Sequence, residues 1–193
     1  MMKTLKRIAQ WMLPACALLL VGCVSSIHPL HLPQDVVFDP ALLGTWRAPE
    51  SKETWELTPG ENDVYRILHT DEEGKRGALR GHLLVLDGRR FLDLYPAEAE
   101  LPQSDFYRDR LLPTHTFVAL SAAGEDAIDV SYLDPEWLKR HLAAQPDALR
   151  HERIGDEILI TAAPGDLQRF LLAHLRTDGA FSEPGRLIRQ PSR

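Results

Sequence analysis

Two cysteines occur in this chain, and one of them stands at a position where it can carry a covalent modification. A basic start is followed by an apolar stretch over residues 8–20 and then by the small residue Gly22, which is the layout of a secretory signal. Cys16 lies inside this stretch, whereas Cys23 comes directly after the small residue at the expected cleavage site. An ordinary secretory signal ends in a small-x-small site and needs no such cysteine.

The run Leu20-Val21-Gly22-Cys23 resembles the lipobox of bacterial lipoproteins position by position. The resemblance implies cleavage between Gly22 and Cys23, a diacylglyceryl group on the Cys23 sulfur, and acylation of the new N-terminus with a chain such as palmitate. The next residue is Val24 and not the aspartate that favours inner-membrane retention, so the resemblance points to the outer membrane, with the domain on its periplasmic side. A membrane-spanning helix needs about 20 mainly apolar residues, and this run is shorter and contains Pro14.

Composition sets further limits on function. Removal of residues 1–22 from the 193 leaves 171 residues, which is one domain's length and enough for a core without staples. The net charge of −6 becomes −9 without the three basic residues of the signal, so nucleic acid is not an expected partner. Attachment to the membrane must then rest on acyl chains. Because Cys16 is removed and Cys23 is lipidated, we expect no disulfide, thiolate metal site or cysteine nucleophile.

The remaining residues with chemical potential are scattered histidines. His115 shares a strand face with Phe117, and His174 lies on the apolar stripe of the last predicted helix; with Tyr132 they are the candidates for ligand binding. The competing interpretation is that these histidines are satisfied core residues. We predict no metal site, no cofactor and no catalytic residue, because the phosphate-binding, zinc-protease, hydrolase and calcium motifs are missing from the sequence.

Short alternating apolar and polar runs dominate the chain between residues 45 and 132. The gaps between them carry turn residues such as Asp87-Gly88. This pattern predicts a mainly β fold in which seven or eight antiparallel strands form a meander, curled into a small barrel or a strongly curved sheet.

Two helices are predicted in the C-terminal half. Asp134-Pro135-Glu136 is a strong helix start, and Pro146 stops that helix. The second helix begins near Pro164 and has one apolar face, formed by Leu167, Phe170, Leu171 and His174.

Both ends of the mature chain are predicted to lie outside the folded domain. Pro29 and Pro33 disfavour a helix or a central strand, which predicts an extended tether over residues 23–38. The polar residues 183–193 predict a flexible tail, so that the domain spans residues 39–182.

The segment from Asp39 to Trp46 resembles the start of a lipocalin-type barrel. In that family a short helical turn leads into Gly-x-Trp, and the indole packs across the closed end of the barrel; Gly44 and Trp46 match this pair. The resemblance implies a small lipocalin-like barrel. The chain departs from the family because no second motif is found and because two late helices replace one. The arrangement also resembles uncharacterised bacterial lipoproteins, a likeness that implies no function.

These observations favour a non-enzymatic, lipid-anchored binding protein that holds a small or apolar ligand, since barrels of about eight strands either fill with side chains or leave room for one ligand. The alternative is a module with a filled interior that docks an envelope protein through an exposed apolar patch. A hydrolase that uses His115 or His82 near Asp129 is the third hypothesis.

Overall fold

The computed structural model describes residues 24–97, 104–122 and 124–191. The predicted signal, the lipobox and Cys23 therefore lie outside the described residues. The strands are β1 Ser25–Ser26, β2 Val36–Val37, β3 Gly44–Arg47, β4 Thr54–Pro59, β5 Val64–Thr70, β6 Arg76–Leu86, β7 Arg89–Pro96, β8 Thr116–Ala122, β9 Ala127–Tyr132, β10 His151–Ile154, β11 Glu157–Ile160 and β12 Gly185–Arg189. The helices are α1 Asp105–Arg108, α2 Pro135–Ala144 and α3 Pro164–His174.

Eight antiparallel strands form a closed barrel in the order β3-β4-β5-β6-β7-β8-β9-β12, with β12 pairing back onto β3 and β6 pairing with β7. The strands from β3 to β9 follow one another in the chain, whereas β12 arrives after α2, β10, β11 and α3. The predicted mainly β fold, with a meander and two helices in the C-terminal half, is confirmed.

A turn between β2 and β3 closes one end of the barrel. Asp39 caps the single helical turn Pro40–Leu42, as its carboxylate accepts a hydrogen bond from the Ala41 amide at 2.8 Å. The Tyr65 hydroxyl donates to the Asp39 carbonyl at 3.0 Å, and the Arg90 guanidinium donates to its carboxylate at 2.7 Å. The turn is thus fixed to two strands of the wall.

Trp46 and Arg189 complete this closed end. The Trp46 indole is buried and donates to the Leu42 carbonyl at 2.9 Å. The Arg189 guanidinium lies 4.3 Å from the centre of the Trp46 ring and donates to the carbonyls of Leu43 and Ala41. Gly44 has φ +122°, and a Cβ there would lie 3.0 Å from Arg189 Nη1, so a side chain is disfavoured on both counts.

Two layers of side chains stabilise the domain. The first fills the barrel, and the second lies between the outer face of β6, β7 and β8 and a cover formed by α2, α3 and the sheet β1-β11-β10. The outer layer includes Leu84, Phe91, Phe117, Leu138 and Leu167. Alternation along β7 sends Phe91 to the outer layer and Leu92 to the interior, as strand geometry requires.

The structure differs from the sequence analysis at both predicted boundaries. Residues 185–189 of the predicted flexible tail are β12, whose pairing with β3 closes the barrel, because Leu187 and Arg189 face inward. Residues 24–38 of the predicted tether are packed as well: Leu30 is fully buried, and β1 and β2 pair with β11 and β6. Pro33 begins a single 3-10 turn, Pro33–Asp35, and the residues on either side of the two prolines remain free to pair.

Substitution Arg189→Ala is expected to lower the free energy of unfolding by about 2–3 kcal/mol, because it removes a cation–π contact and two charge-assisted hydrogen bonds. Urea denaturation of the mature chain measures this. Arg186→Ala is the matched control on the same strand: Arg186 pairs with Asp129 on the exposed outer face and should contribute little. Equal effects of the two substitutions would contradict a special role for Arg189.

Candidate functional site

Asp93 is the one charged side chain that is buried among the described residues, and its exposed fraction is 0%. It lies on β7 between Leu92 and Leu94, which face the barrel interior, so its carboxylate projects from the outer wall. Burial of a carboxylate is unfavourable unless donors surround it. The surroundings of Asp93 therefore show what the fold does with this charge.

Three N–H groups satisfy the Asp93 carboxylate. The Leu30 amide and His31 Nδ1 donate to Oδ2 at 2.7 and 2.9 Å, and His115 Nδ1 donates to Oδ1 at 2.8 Å. Burial by itself raises the pKa of Asp93, but the hydrogen bonds from His115, His31 and the Leu30 amide outweigh it and hold the pKa below its usual range. Asp93 is therefore ionised at neutral pH, with both imidazoles in the Nδ1–H form.

His82 completes what we call the Asp93 cluster, which consists of Asp93, His31, His82 and His115. The His82 ring on β6 stacks on His31, with 4.1 Å between the centroids. Burial, followed by the neighbouring His31, lowers the pKa of His82 to about 4. His82 Nδ1 is buried and has no partner among the described residues. The Tyr95 ring covers the other side, 4.5 Å from the ring of His115.

The geometry of the cluster is that of a structural latch. His31 and His115 point their Nδ1 atoms at the same carboxylate while their ring centroids are 6.5 Å apart, so their Nε2 atoms diverge. The Ser26 hydroxyl, on the residue that bridges His115, donates to the His28 carbonyl at 2.7 Å. Within the described ranges, no group of three or more His, Cys, Asp or Glu residues could hold a metal ion.

The barrel interior is a second candidate site, and its two halves differ. Next to the closed end, Trp46, Tyr65 and Ile67 are at most 2% exposed. At Gly81 a Cβ would lie 2.6 Å from Ile67 Cδ1, so the space beside Gly81 is filled.

The half near the other end of the barrel, which we call the open half, is less filled. Inward-facing apolar side chains there remain half-buried: Trp55, Leu79, Val118 and Val130. A Cβ on Gly77, which alternates with Leu79 on β6, would meet nothing within 4 Å. The open half therefore presents accessible apolar side chains and, at Gly77, room for a side chain; we call this part of the interior the recess.

Polar groups stand at the rim of this recess. Glu53 Oε1 accepts from Trp55 Nε1 at 3.0 Å and from His69 Nε2 at 2.9 Å, and the Trp55 and His69 rings lie 4.2 Å apart. Tyr132 faces the same interior, because it pairs with Val118 across β8 and β9. Its side chain is half-buried.

The three predicted ligand-binding residues lie in three different places. Tyr132 faces the recess, His115 belongs to the Asp93 cluster on the outer wall, and His174 packs in a separate aromatic group on α3. His174 lies 4.6 Å from His141 between ring centroids, and burial, followed by the charge of His141, lowers its pKa. No sequence pattern predicts a contact among these three residues.

The acidic residue next to His115 is Asp93, whereas the hydrolase hypothesis named Asp129. His115 and His82 do meet, but around Asp93, whereas Asp129 is paired with Arg186 on the outer surface. Asp93 could have been singled out, because its strand neighbours Phe91 and Tyr95 are aromatic and a lone acid between them on one face is unusual.

Comparison of the chain with protein-family models, curated proteins and solved structures finds no match. Over residues 24–97, 104–122 and 124–191, no helix has the length and apolar character needed to cross a membrane.

Asp93→Asn should lower the free energy of unfolding by about 2–4 kcal/mol, because the amide has no negative charge to strengthen the three hydrogen bonds and its nitrogen cannot accept one of them. Urea denaturation gives the stability change. Hydrogen exchange shows where the structure is loosened: the Leu30 amide should exchange much faster in the variant. A Leu30 amide that stays as protected as in the wild type would contradict the latch.

Stability should also depend on pH through His82. The unfolded chain binds a proton near the ordinary histidine pKa of 6.5, whereas folded His82 stays neutral down to about pH 4. The folded state therefore loses stability as the pH falls from about 6.5 to about 4. His82→Phe keeps a ring against His31 and should flatten this part of the profile, measured by urea denaturation at stepped pH. An unchanged slope would show that another group causes the loss.

Proposed function

We propose that the protein is a lipid-anchored, non-enzymatic binding protein of the bacterial outer membrane, facing the periplasm, and that it holds a small apolar ligand in the open half of its barrel. The main support for a bound ligand is the difference in side-chain exposure between the two halves of the interior. Trp46, Tyr65 and Ile67 at the closed end are at most 2% exposed, whereas apolar side chains of the same interior in the open half stay accessible.

The chemistry of the recess selects the class of ligand. Its walls are apolar and aromatic, and a site of this kind gains affinity by removing apolar surface from water. The Tyr132 hydroxyl faces the same space, and the Glu53–His69 pair stands at the rim. A ligand with an apolar body and one polar group matches this distribution.

The proposal of a lipid anchor is supported by the lipobox and by the number of cysteines. Leu20-Val21-Gly22-Cys23 supports modification of Cys23, and the rest of the mature chain contains no other thiol. Two or more acyl chains give stable attachment, which one chain does not. An acidic domain adds little attraction to anionic lipid, so the acyl chains carry the attachment.

Docking of an envelope protein is the second candidate, favoured by one surface feature. Phe106 and Leu112 are 72% and 62% exposed in the segment between β7 and β8. Apolar side chains this exposed are typical of interaction sites. They lie near the same end of the barrel as the recess, so a partner protein would cover the ligand entrance.

Native mass spectrometry of the mature chain with Cys23→Ser tests the ligand. We expect a discrete extra mass of an apolar compound that is lost on denaturation. Gly77→Phe should abolish it, because the new ring fills the recess. Glu56→Phe is the matched control, since Glu56 lies exposed on the outer face of β4.

Two results would contradict this proposal. A wild-type mass equal to the chain alone, with no uptake of added N-phenyl-1-naphthylamine, would contradict a ligand-holding barrel. Equal loss of the extra mass in both variants would place the ligand elsewhere on the protein.

A further inference from the structure

We infer that the β10–β11 hairpin lies against the lipid bilayer and that the open end of the barrel faces away from it. This inference rests on the lipid anchor of the proposed function. It adds the orientation of the domain, and therefore the side from which a ligand enters.

The residues next to the predicted anchor are held against the domain. Val24 is only 8% exposed and belongs to the outer hydrophobic layer. Ser26 and His115 exchange two backbone hydrogen bonds of 2.9 and 2.8 Å, and the Ile27 amide donates to the Ile160 carbonyl at 2.9 Å. Because consecutive Cα atoms are about 3.8 Å apart, acyl chains on Cys23 must leave from the surface of the domain itself.

The direction of β1 identifies which surface this is. β1 runs parallel to β11, with Ser25 opposite Leu159 and Ser26 opposite Ile160. The amino end of β1 therefore lies at the same end of the small sheet as the turn between β10 and β11. From Ser26 to Val24 the chain runs toward the hairpin turn, away from the residues before His115 that lead to the barrel mouth.

The tip of this hairpin carries an exposed apolar side chain. Ile154 is 61% exposed and pairs with Glu157 at the start of β11. Two strand spacings and one residue step separate Val24 from Ile154, which is about 10 Å between Cα atoms. A bilayer that receives the acyl chains has an interfacial zone of about 5–8 Å on each side, so Ile154 is within its reach.

The other exposed apolar side chains point to the opposite end. The bridge between Ser26 and His115 is antiparallel, so the residues before His115 run alongside those after Ser26, away from Cys23. Residues 104–114, which include Phe106 and Leu112, precede His115. The segment at the barrel mouth is therefore on the aqueous side, and a ligand would enter from the periplasm.

Site-directed fluorescence tests this orientation in the full lipidated protein. Ile154→Cys, Leu112→Cys and Ile188→Cys each introduce one reactive thiol for a bimane label, since the natural thiol of Cys23 is blocked when it carries lipid. All three positions are exposed apolar residues, so the variants are matched. The labelled proteins are placed in phosphatidylcholine vesicles that contain nitroxide-labelled lipid.

We expect strong loss of fluorescence at position 154 and little at positions 112 and 188. Stronger quenching at 112 than at 154, or no quenching at any of them, would overturn the orientation. Intact mass and vesicle flotation are read on the same samples. A mass without acyl chains would contradict the anchor itself, whereas a lipidated protein with an unquenched label at 154 would contradict only the orientation.

Discussion

A buried carboxylate needs hydrogen-bond donors, and this single requirement joins three separate parts of the chain at Asp93. The donors are the Leu30 amide, His31 and His115, which lie on the N-terminal segment and next to β8, while Asp93 itself is on β7. Gln168 of α3 adds a hydrogen bond to the Leu30 carbonyl at 2.9 Å. Because ionised Asp93 loses several kcal/mol without these donors, the N-terminal segment, the barrel wall and the helical cover are stable only together.

The two ends of the barrel are packed to different degrees. Trp46, Arg189 and the capped turn at Asp39 fill and close one end, so the second half of the interior is free to remain partly empty. In a barrel of this size the same interior cannot both be completely packed and hold a ligand. The latch on the outer wall also fixes Leu30 and His31 of the N-terminal segment to the barrel.

Much of this fold could be predicted from local sequence signals. Alternation gave the strands, Asp-Gly the hairpin turn at Asp87, and Asp134-Pro135 the start of α2, because each of these depends on residues close together in the chain. The segments predicted as a tether and a tail depend on partners far away. Ser26 pairs with His115 and Ile188 pairs with Arg47, and neither short segment carries a sequence pattern that predicts such a partner. The meeting of His115 with Asp93 was missed for the same reason.

The most direct test of the account is methyl NMR of the mature chain with Cys23→Ser during titration with N-phenyl-1-naphthylamine. We predict that methyl signals of Leu79 and Val118 move, because these side chains line the open half. Signals of Leu83 in the closed half and Leu138 in the outer layer should stay in place. Shifts that concentrate on the outer layer, or no shifts at a saturating concentration of the probe, would contradict a binding site inside the barrel.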